Sequence, residues 1–150
     1  MIKWGSSTVA LIKKFEGLRL RPYKCPAGRI TIGYGHCFSY SNSFYEEITS
    51  SFAQDLLEGD LDSIYKFFRS YDFLSRLLTG NASNAFYSLC YNWGANNLVN
   101  SKGFKYLHKG DLNKAGFEFF STERGVNKVN GRLSRGLLNR RAEEYKLWKS

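Results

Sequence analysis

Both prolines of this 150-residue chain, Pro22 and Pro26, fall within its first 26 positions. Around them the apolar residues alternate; beyond them they recur at helical spacing, with no proline to break the pattern. Leu18, Leu20 and Tyr23 alternate with Arg19, Arg21 and Lys24. Pro26-Ala27-Gly28 supplies turn chemistry, and Ile30 and Ile32 then fall opposite Thr31. This pattern predicts a β-hairpin. Gly33 and Gly35 weaken its second strand and point to a bend or a close backbone approach. Residues 38–47 read as a third short strand or a loop.

The rest is helical. Ser6-Ser7-Thr8 offers N-cap oxygens to a first helix carrying Leu11, Ile12 and Phe15, and Gly17 ends it. From Ile48-Thr49 a long helix runs through Phe52, Leu56, Leu57, Leu61, Ile64 and Phe68, with Gly59 as an interior weak point. A short helix spans Tyr71 to Leu78. Asn81 or Ser83 caps a strongly buried helix through Ala85, Phe86, Leu89, Cys90 and Trp93. Ser101 and Asp111 cap two more, and Leu133, Leu137, Leu138, Tyr145 and Trp148 mark a C-terminal helix. Strands segregated from helices read as α+β. The expectation is one domain over 1–150: a small N-terminal three-stranded lobe, a long connecting helix and a larger helical lobe, with a ligand cleft between them.

At 43% hydrophobic residues the chain buries a core without staples. Cys25, Cys37 and Cys90 are too few and too far apart for a disulfide framework, and His36 and His108 have no CxxC pairs near them, so no metal or other cofactor is expected. The net charge of +9 favours anionic partners. Because the basic residues are scattered without a run of five, a nucleic-acid arm is not expected. No stretch has the roughly 20 apolar residues of a membrane span, and none reads as a signal peptide.

Glu16 is the only acidic residue before position 46, and it sits in the last turn of the first helix, against the negative end of the dipole. Ordinarily a glutamate at a helix end is a solvated charge. Here Cys25 follows nine residues later and Thr31 six after that, so an acid, a thiol and a hydroxyl gather at the lips of one hairpin. That is a plausible hydrolytic set. Each member has a plainer reading: a small buried thiol, a β-forming threonine, and, in His36, a loop-tying imidazole. A Cys25–His36 nucleophilic pair lacks an orienting third group. Cys90 lies on an apolar stripe and reads as core. Arg140-Arg141 before Glu143-Glu144 reads as a solvated helix face, unless one arginine reaches the cleft and pairs with an acid.

Taken together, Leu11-Ile12-Lys13-Lys14-Phe15-Glu16-Gly17, Tyr23-x-Cys25-x-x-Gly28 and Thr31-Ile32-Gly33-Tyr34-Gly35-His36 resemble the active-site signature of the phage-type lysozymes, glycoside hydrolase family 24. Asn84-Ala85-Phe86-x-Ser88-Leu89-x-x-Asn92-x-Gly94 resembles that family's central helix, and Gly136-Leu137-Leu138-Asn139-Arg140-Arg141-x-x-Glu144 its C-terminal helix. The resemblance implies a lysozyme-like fold. It also implies cleavage of the β-1,4 bond between N-acetylmuramic acid and N-acetylglucosamine in peptidoglycan, and so bacterial lysis. Glu16 would protonate the leaving oxygen, Thr31 would position the attacking water, His36 would support the hairpin, and Asn92 would touch substrate. Arg140, with Arg141 as the alternative, would pair with Glu16. Family members are described as inverting.

The chain departs from that pattern at Cys25, where most members have aspartate. A thiol, neutral at its reference pKa of about 8.5, must ionise to serve as base, electrostatic partner or nucleophile. A disulfide with Cys37, the nearest thiol in sequence, would silence the site. The resemblance further implies a monomer that stays in the host cytoplasm until its release to the wall, drawn by its charge to anionic envelopes. The rival is a cationic envelope-binding antibacterial protein whose site is impaired by Cys25.

Overall fold

The computed structural model describes residues 3–37 and 46–150. Helix α1 (Ser6–Glu16) buries Thr8, Leu11 and Ile12. Its N-cap is Gly5, with no side-chain cap bond, so the expected serine and threonine capping does not occur. Thr8 instead donates its hydroxyl to Asn84 Oδ1 at 2.8 Å and ties α1 to the central helix. Gly17 closes α1 at φ 69°, a conformation glycine adopts without steric cost.

Strands β1 (Arg19–Lys24), β2 (Ile30–Gly33) and β3 (His36–Cys37) form an antiparallel sheet in that order. The Pro26-Ala27-Gly28 turn is closed by bonds from Cys25 N–H to the Arg29 carbonyl and from Gly28 N–H to the Cys25 carbonyl. Tyr23 pairs with Thr31, and Thr31 with Cys37. The third strand begins at His36, earlier than the 38–47 stretch expected to supply it; most of that stretch lies outside the described residues. Ile32, Ile48 and Ala53 form the small core of this lobe.

Helix α2 (Ser50–Phe68) is the expected long connector, capped by Thr49, which accepts from Phe52 N–H. Helices α3 (Asp72–Leu77) and α4 (Gly80–Trp93) follow. The residue before α4 is Thr79, so neither Asn81 nor Ser83 caps it. Helix α4 is buried along one continuous run from Ala85 to Cys90, and the helical lobe is built around it. Helix α5 (Ala95–Val99), not foreseen from the sequence, leads to α6 (Lys102–His108) and α7 (Leu112–Phe120), capped by Ser101 and Asp111 as expected.

The polar loop before the last helix contains a two-stranded ribbon, β4 (Lys128–Val129) and β5 (Arg132–Leu133). Asn130 and Gly131 turn it at φ 50° and 77°, the geometry an Asn-Gly pair favours in a two-residue hairpin. Leu133, expected on the C-terminal helix, belongs to β5 and is 60% exposed. Helix α8 (Arg135–Lys149), capped by Ser134, packs on α4 and closes the lobe. A second core of Ile12, Leu57, Leu61 and Tyr87 joins α1, α2 and α4 at the junction of the two lobes. No helix among the described residues is long and apolar enough to cross a membrane.

Candidate active site

Glu16, the last residue of α1, projects into the groove between the lobes and keeps 22% of its side chain exposed. Its Oε1 accepts from Arg140 Nη1 at 2.5 Å. Its other oxygen lies under Gly35, where a Cβ would stand 3.2 Å from Oε2. Gly35 also takes φ 88°, so both backbone and space require glycine there. The Tyr91 ring borders the same spot, and its hydroxyl donates to the Tyr34 carbonyl at 2.6 Å, which pins the bend between β2 and β3.

Arg140 is the arginine that meets Glu16, and it is 3% exposed. Its Nε donates to Glu144 Oε1 at 3.1 Å and its Nη2 to the Ser88 carbonyl at 3.1 Å, while the Phe15 ring lies 5.8 Å from its guanidinium carbon. Arg141 does not reach Glu16's carboxylate by hydrogen bond but is fully enclosed beside Glu144. The solvated face read from Arg140-Arg141 and Glu143-Glu144 is therefore corrected: Arg140, Arg141 and Glu144 are buried, and only Glu143 faces out, paired with Lys14.

A cavity of about 520 Å³ brings Glu16, Asn92 and Arg140 together with Val129 of the β4–β5 ribbon. Asn92 is exposed in the last turn of α4. The hairpin lobe supplies the opposite group of residues. Thr31 is 2% exposed; its hydroxyl donates to the Arg29 carbonyl at 3.2 Å and lies 3.7 Å from Cys37 Sγ. Cys25 is partly exposed. The Arg29 backbone N–H, joined by the Ala27 N–H and the Thr31 hydroxyl, holds its thiol below the ordinary thiol range, and the Arg29 charge adds to the effect. Tyr23 links the two groups. Burial first, then the Glu16 charge, and more weakly Cys37 and Cys25, push its phenol up. The cavity thus gathers Glu16, Asn92 and Arg140, whereas Cys25 and Thr31 lie on the hairpin outside its lining.

Cys25 and Cys37 cannot form the disulfide contemplated from sequence without a change of fold. Cys25 directly follows β1 and Cys37 ends β3, with β2 between those strands, which separates the two by about two strand spacings of about 4.8 Å each, whereas bridged cysteines need Cα atoms within about 7 Å. All three thiols are free. Cys90 is core, as read, and burial pushes its thiol up to about 12.

His36 sits on β3 rather than just past a strand. Its Nδ1 lies 2.9 and 3.0 Å from the two Asp60 oxygens on α2, and this hydrogen bond raises its pKa against the lowering effect of burial. This contact fastens the sheet to the connector. Sequence reasoning missed Asp60 and Tyr91, and met Tyr23 and Ser88 only as motif positions without a role. Asp60, Tyr91 and Ser88 matter through contacts with residues distant in the chain, which no local pattern marks. Glu144 carried a signal, its fixed place after the paired arginines.

A carboxylic acid at the end of a helix, locked to a buried arginine across a cleft from a small three-stranded sheet, defines an α+β hydrolase of the lysozyme architecture. The chain belongs to the phage lysozyme family, whose model matches residues 13–144. It is 35% identical over 144 residues to the endolysin of Acyrthosiphon pisum secondary endosymbiont phage 1, covering 95% of this chain and 94% of that protein. It is also 35% identical to the endolysin of Bacillus phage PZA over 95% of its own length, but spans only 53% of that longer relative. Among solved structures, the muramidase domain of SpmX from Asticaccaulis excentricus aligns at TM-score 0.76 and 30% identity, covering 100% of this chain and 99% of that one. The endolysin from Escherichia coli O157:H7 phage FAHEc1 aligns at 0.69 and 25%, covering 98% and 93%.

Proposed function

We propose that the protein is a peptidoglycan hydrolase, a muramidase that cleaves the β-1,4 bond between N-acetylmuramic acid and N-acetylglucosamine and so lyses bacterial cells. The observation that carries the reading is Glu16: the one acid of the N-terminal segment, held by a buried guanidinium at the wall of a cavity of about 520 Å³. Protonated Glu16 donates to the glycosidic oxygen, and Arg140 stabilises the carboxylate this leaves. Asn92, exposed on the same cleft, contacts the sugar.

Across the groove, the backbone N–H groups of Arg29 and Ala27 favour the thiolate of Cys25. The thiolate stands where positive charge builds at the anomeric carbon and acts as base or electrostatic partner to an incoming water. The Thr31 hydroxyl, which donates to the Arg29 carbonyl and lies beside Cys37, orients that water. The chain acts as a monomer on peptidoglycan without a cofactor. Its +9 charge draws it to the acidic envelope, after accumulation in the host cytoplasm.

The test is release of reducing ends from purified peptidoglycan by the parent, Glu16→Gln, Cys25→Ala and Cys25→Asp. The parent and Cys25→Asp are expected to cleave. Glu16→Gln is expected to lose at least about a hundredfold, in line with the removal of a general acid. An undiminished Cys25→Ala would remove the thiol from the mechanism. Killing of cells that persists in Glu16→Gln while wall cleavage is gone would favour the cationic envelope-binding reading instead.

A further inference from the structure

Beneath Glu16 four side chains are closed off from water: Arg140 at 3%, Arg141 at 1%, and Glu144 and Ser88 at 0% exposure. Arg140 gives one N–H to each of three directions: Nη1 to Glu16, Nε to Glu144 and Nη2 to the Ser88 carbonyl. Arg141 flanks Glu144 from the other side, with Nη2 donating to Oε1 at 3.0 Å and Nε in ion-pair contact with Oε2 at 2.6 Å. Its Nη1 also donates to the Val126 carbonyl at 3.3 Å. Ser88 donates its hydroxyl to Glu144 Oε1 at 2.6 Å.

Each nitrogen of the Arg140 guanidinium is therefore engaged, and its aim at Glu16 is set by Glu144 and Ser88. The charges do not cancel inside the lobe. Two guanidiniums face one enclosed carboxylate, and the surplus positive charge meets its counter-charge at Glu16, on the cleft wall. Screening is weak at such depth, so each enclosed charge acts on Glu16 even where it does not touch it. Burial and the neighbouring Arg140 both work against the charge on Arg141, and the carboxylates of Glu144 and Glu16 support it.

We propose that Glu144, with Ser88 and Arg141, is a positioning unit that acts through Arg140 and sets how tightly Glu16 holds its proton during catalysis. The inference rests on the muramidase reading, in which Glu16 is the acid. Glu144 subtracts one charge from the pair of arginines; without it, two uncompensated guanidiniums would pull harder on the Glu16 carboxylate. Arg141 supplies the opposite correction.

Glu16 also faces Tyr91 of α4, Tyr23 of β1 and the Gly35 backbone, with Lys13 and Lys14 on its own helix. Cys25 and Cys37 act on the same phenol as Glu16, and Asp60 on the Tyr91 hydroxyl. None of these is altered in the variants below.

The experiment is the pH–rate profile of reducing-end release from purified peptidoglycan by the parent, Glu144→Gln and Arg141→Met, with circular dichroism to verify folding. The alkaline limb, where Glu16 loses its proton, is expected to move by about one pH unit: downward in Glu144→Gln, upward in Arg141→Met. Damage to packing alone would lower the rate without moving the limb in opposite directions. A limb unmoved in both, or moved the same way in both, overturns the proposal.

Removing one partner of an enclosed ion pair is strongly destabilising, so Ser88→Ala, which keeps every charge, decides the matter should those variants not fold. Its kcat is expected to fall about tenfold with KM unchanged, and an unchanged kcat overturns the proposal. A parent that releases no reducing ends would instead sink the muramidase reading, which separates the two failures.

Discussion

At Cys25 a short turn decides reactivity. The Pro26-Ala27-Gly28 loop directs the N–H groups of Arg29 and Ala27 at the sulfur, so the local backbone, more than any side chain, lowers the thiol's pKa. Cys90, with the same side chain, lies inside α4 with its pKa pushed up to about 12. In a Cys37→Ser background, alkylation by iodoacetamide is expected to modify Cys25 first, with a rate whose pH midpoint lies below the ordinary thiol range. Cys90 should react only in denaturant. Mass spectrometry after limited labelling checks this, and equal labelling of the two in the native protein would contradict the environments described. The presence of a cysteine here, nine residues after Glu16, was legible from spacing. Its lowered pKa was not, because it depends on where two amide hydrogens point.

At the scale of elements, the sheet is fastened to α2 by His36 and Asp60 and to α4 by Tyr91 and the Tyr34 carbonyl. The Asp60 hydrogen bond raises the His36 pKa above its ordinary value. A raised folded-state pKa stabilises the fold most fully below the unfolded value of about 6.5, and that contribution is lost as pH rises through the folded value. The difference in melting temperature between the parent and Asp60→Asn should therefore be larger near about pH 6 than near about pH 9. A difference independent of pH would show that the imidazolium does not contribute. Element types were largely readable from periodicity: the hairpin, the long connector and the central helix stand where the pattern put them. Caps were readable at Ser101 and Asp111, where one polar residue precedes an apolar run. They were misread at the starts of α1 and α4, where several polar residues compete and tertiary contact took Thr8 to Asn84. The β4–β5 ribbon carried an Asn-Gly turn signal, but its two-residue strands were too short to show alternation.

For the molecule as a whole, α8 holds the site together. It closes the helical core through Trp148, whose indole donates to the Leu112 carbonyl at 3.0 Å, and it carries Arg140 to the cleft. Gly116 of α7 makes room for that indole: a Cβ there would lie 2.4 Å from Trp148 Nε1. Gly116→Ala is expected to destabilise the protein by about 1–3 kcal/mol, the usual cost of overpacking, as read by urea or thermal unfolding. An unchanged stability would mean that α7 and α8 shift apart freely, contrary to the packing seen.

The sequence by itself determined the order of the lobes, the helical periodicity and the spacing of Glu16, Cys25 and Thr31, because each is a local property of the chain. Tertiary structure alone decided that Arg140 rather than Arg141 meets Glu16, that the paired arginines and Glu144 are buried instead of solvated, and that β2 keeps Cys25 from Cys37. Those outcomes depend on which face of α8 turns inward against α4, and on strand order. Both are settled by long-range packing, in which residues more than a hundred positions apart become neighbours.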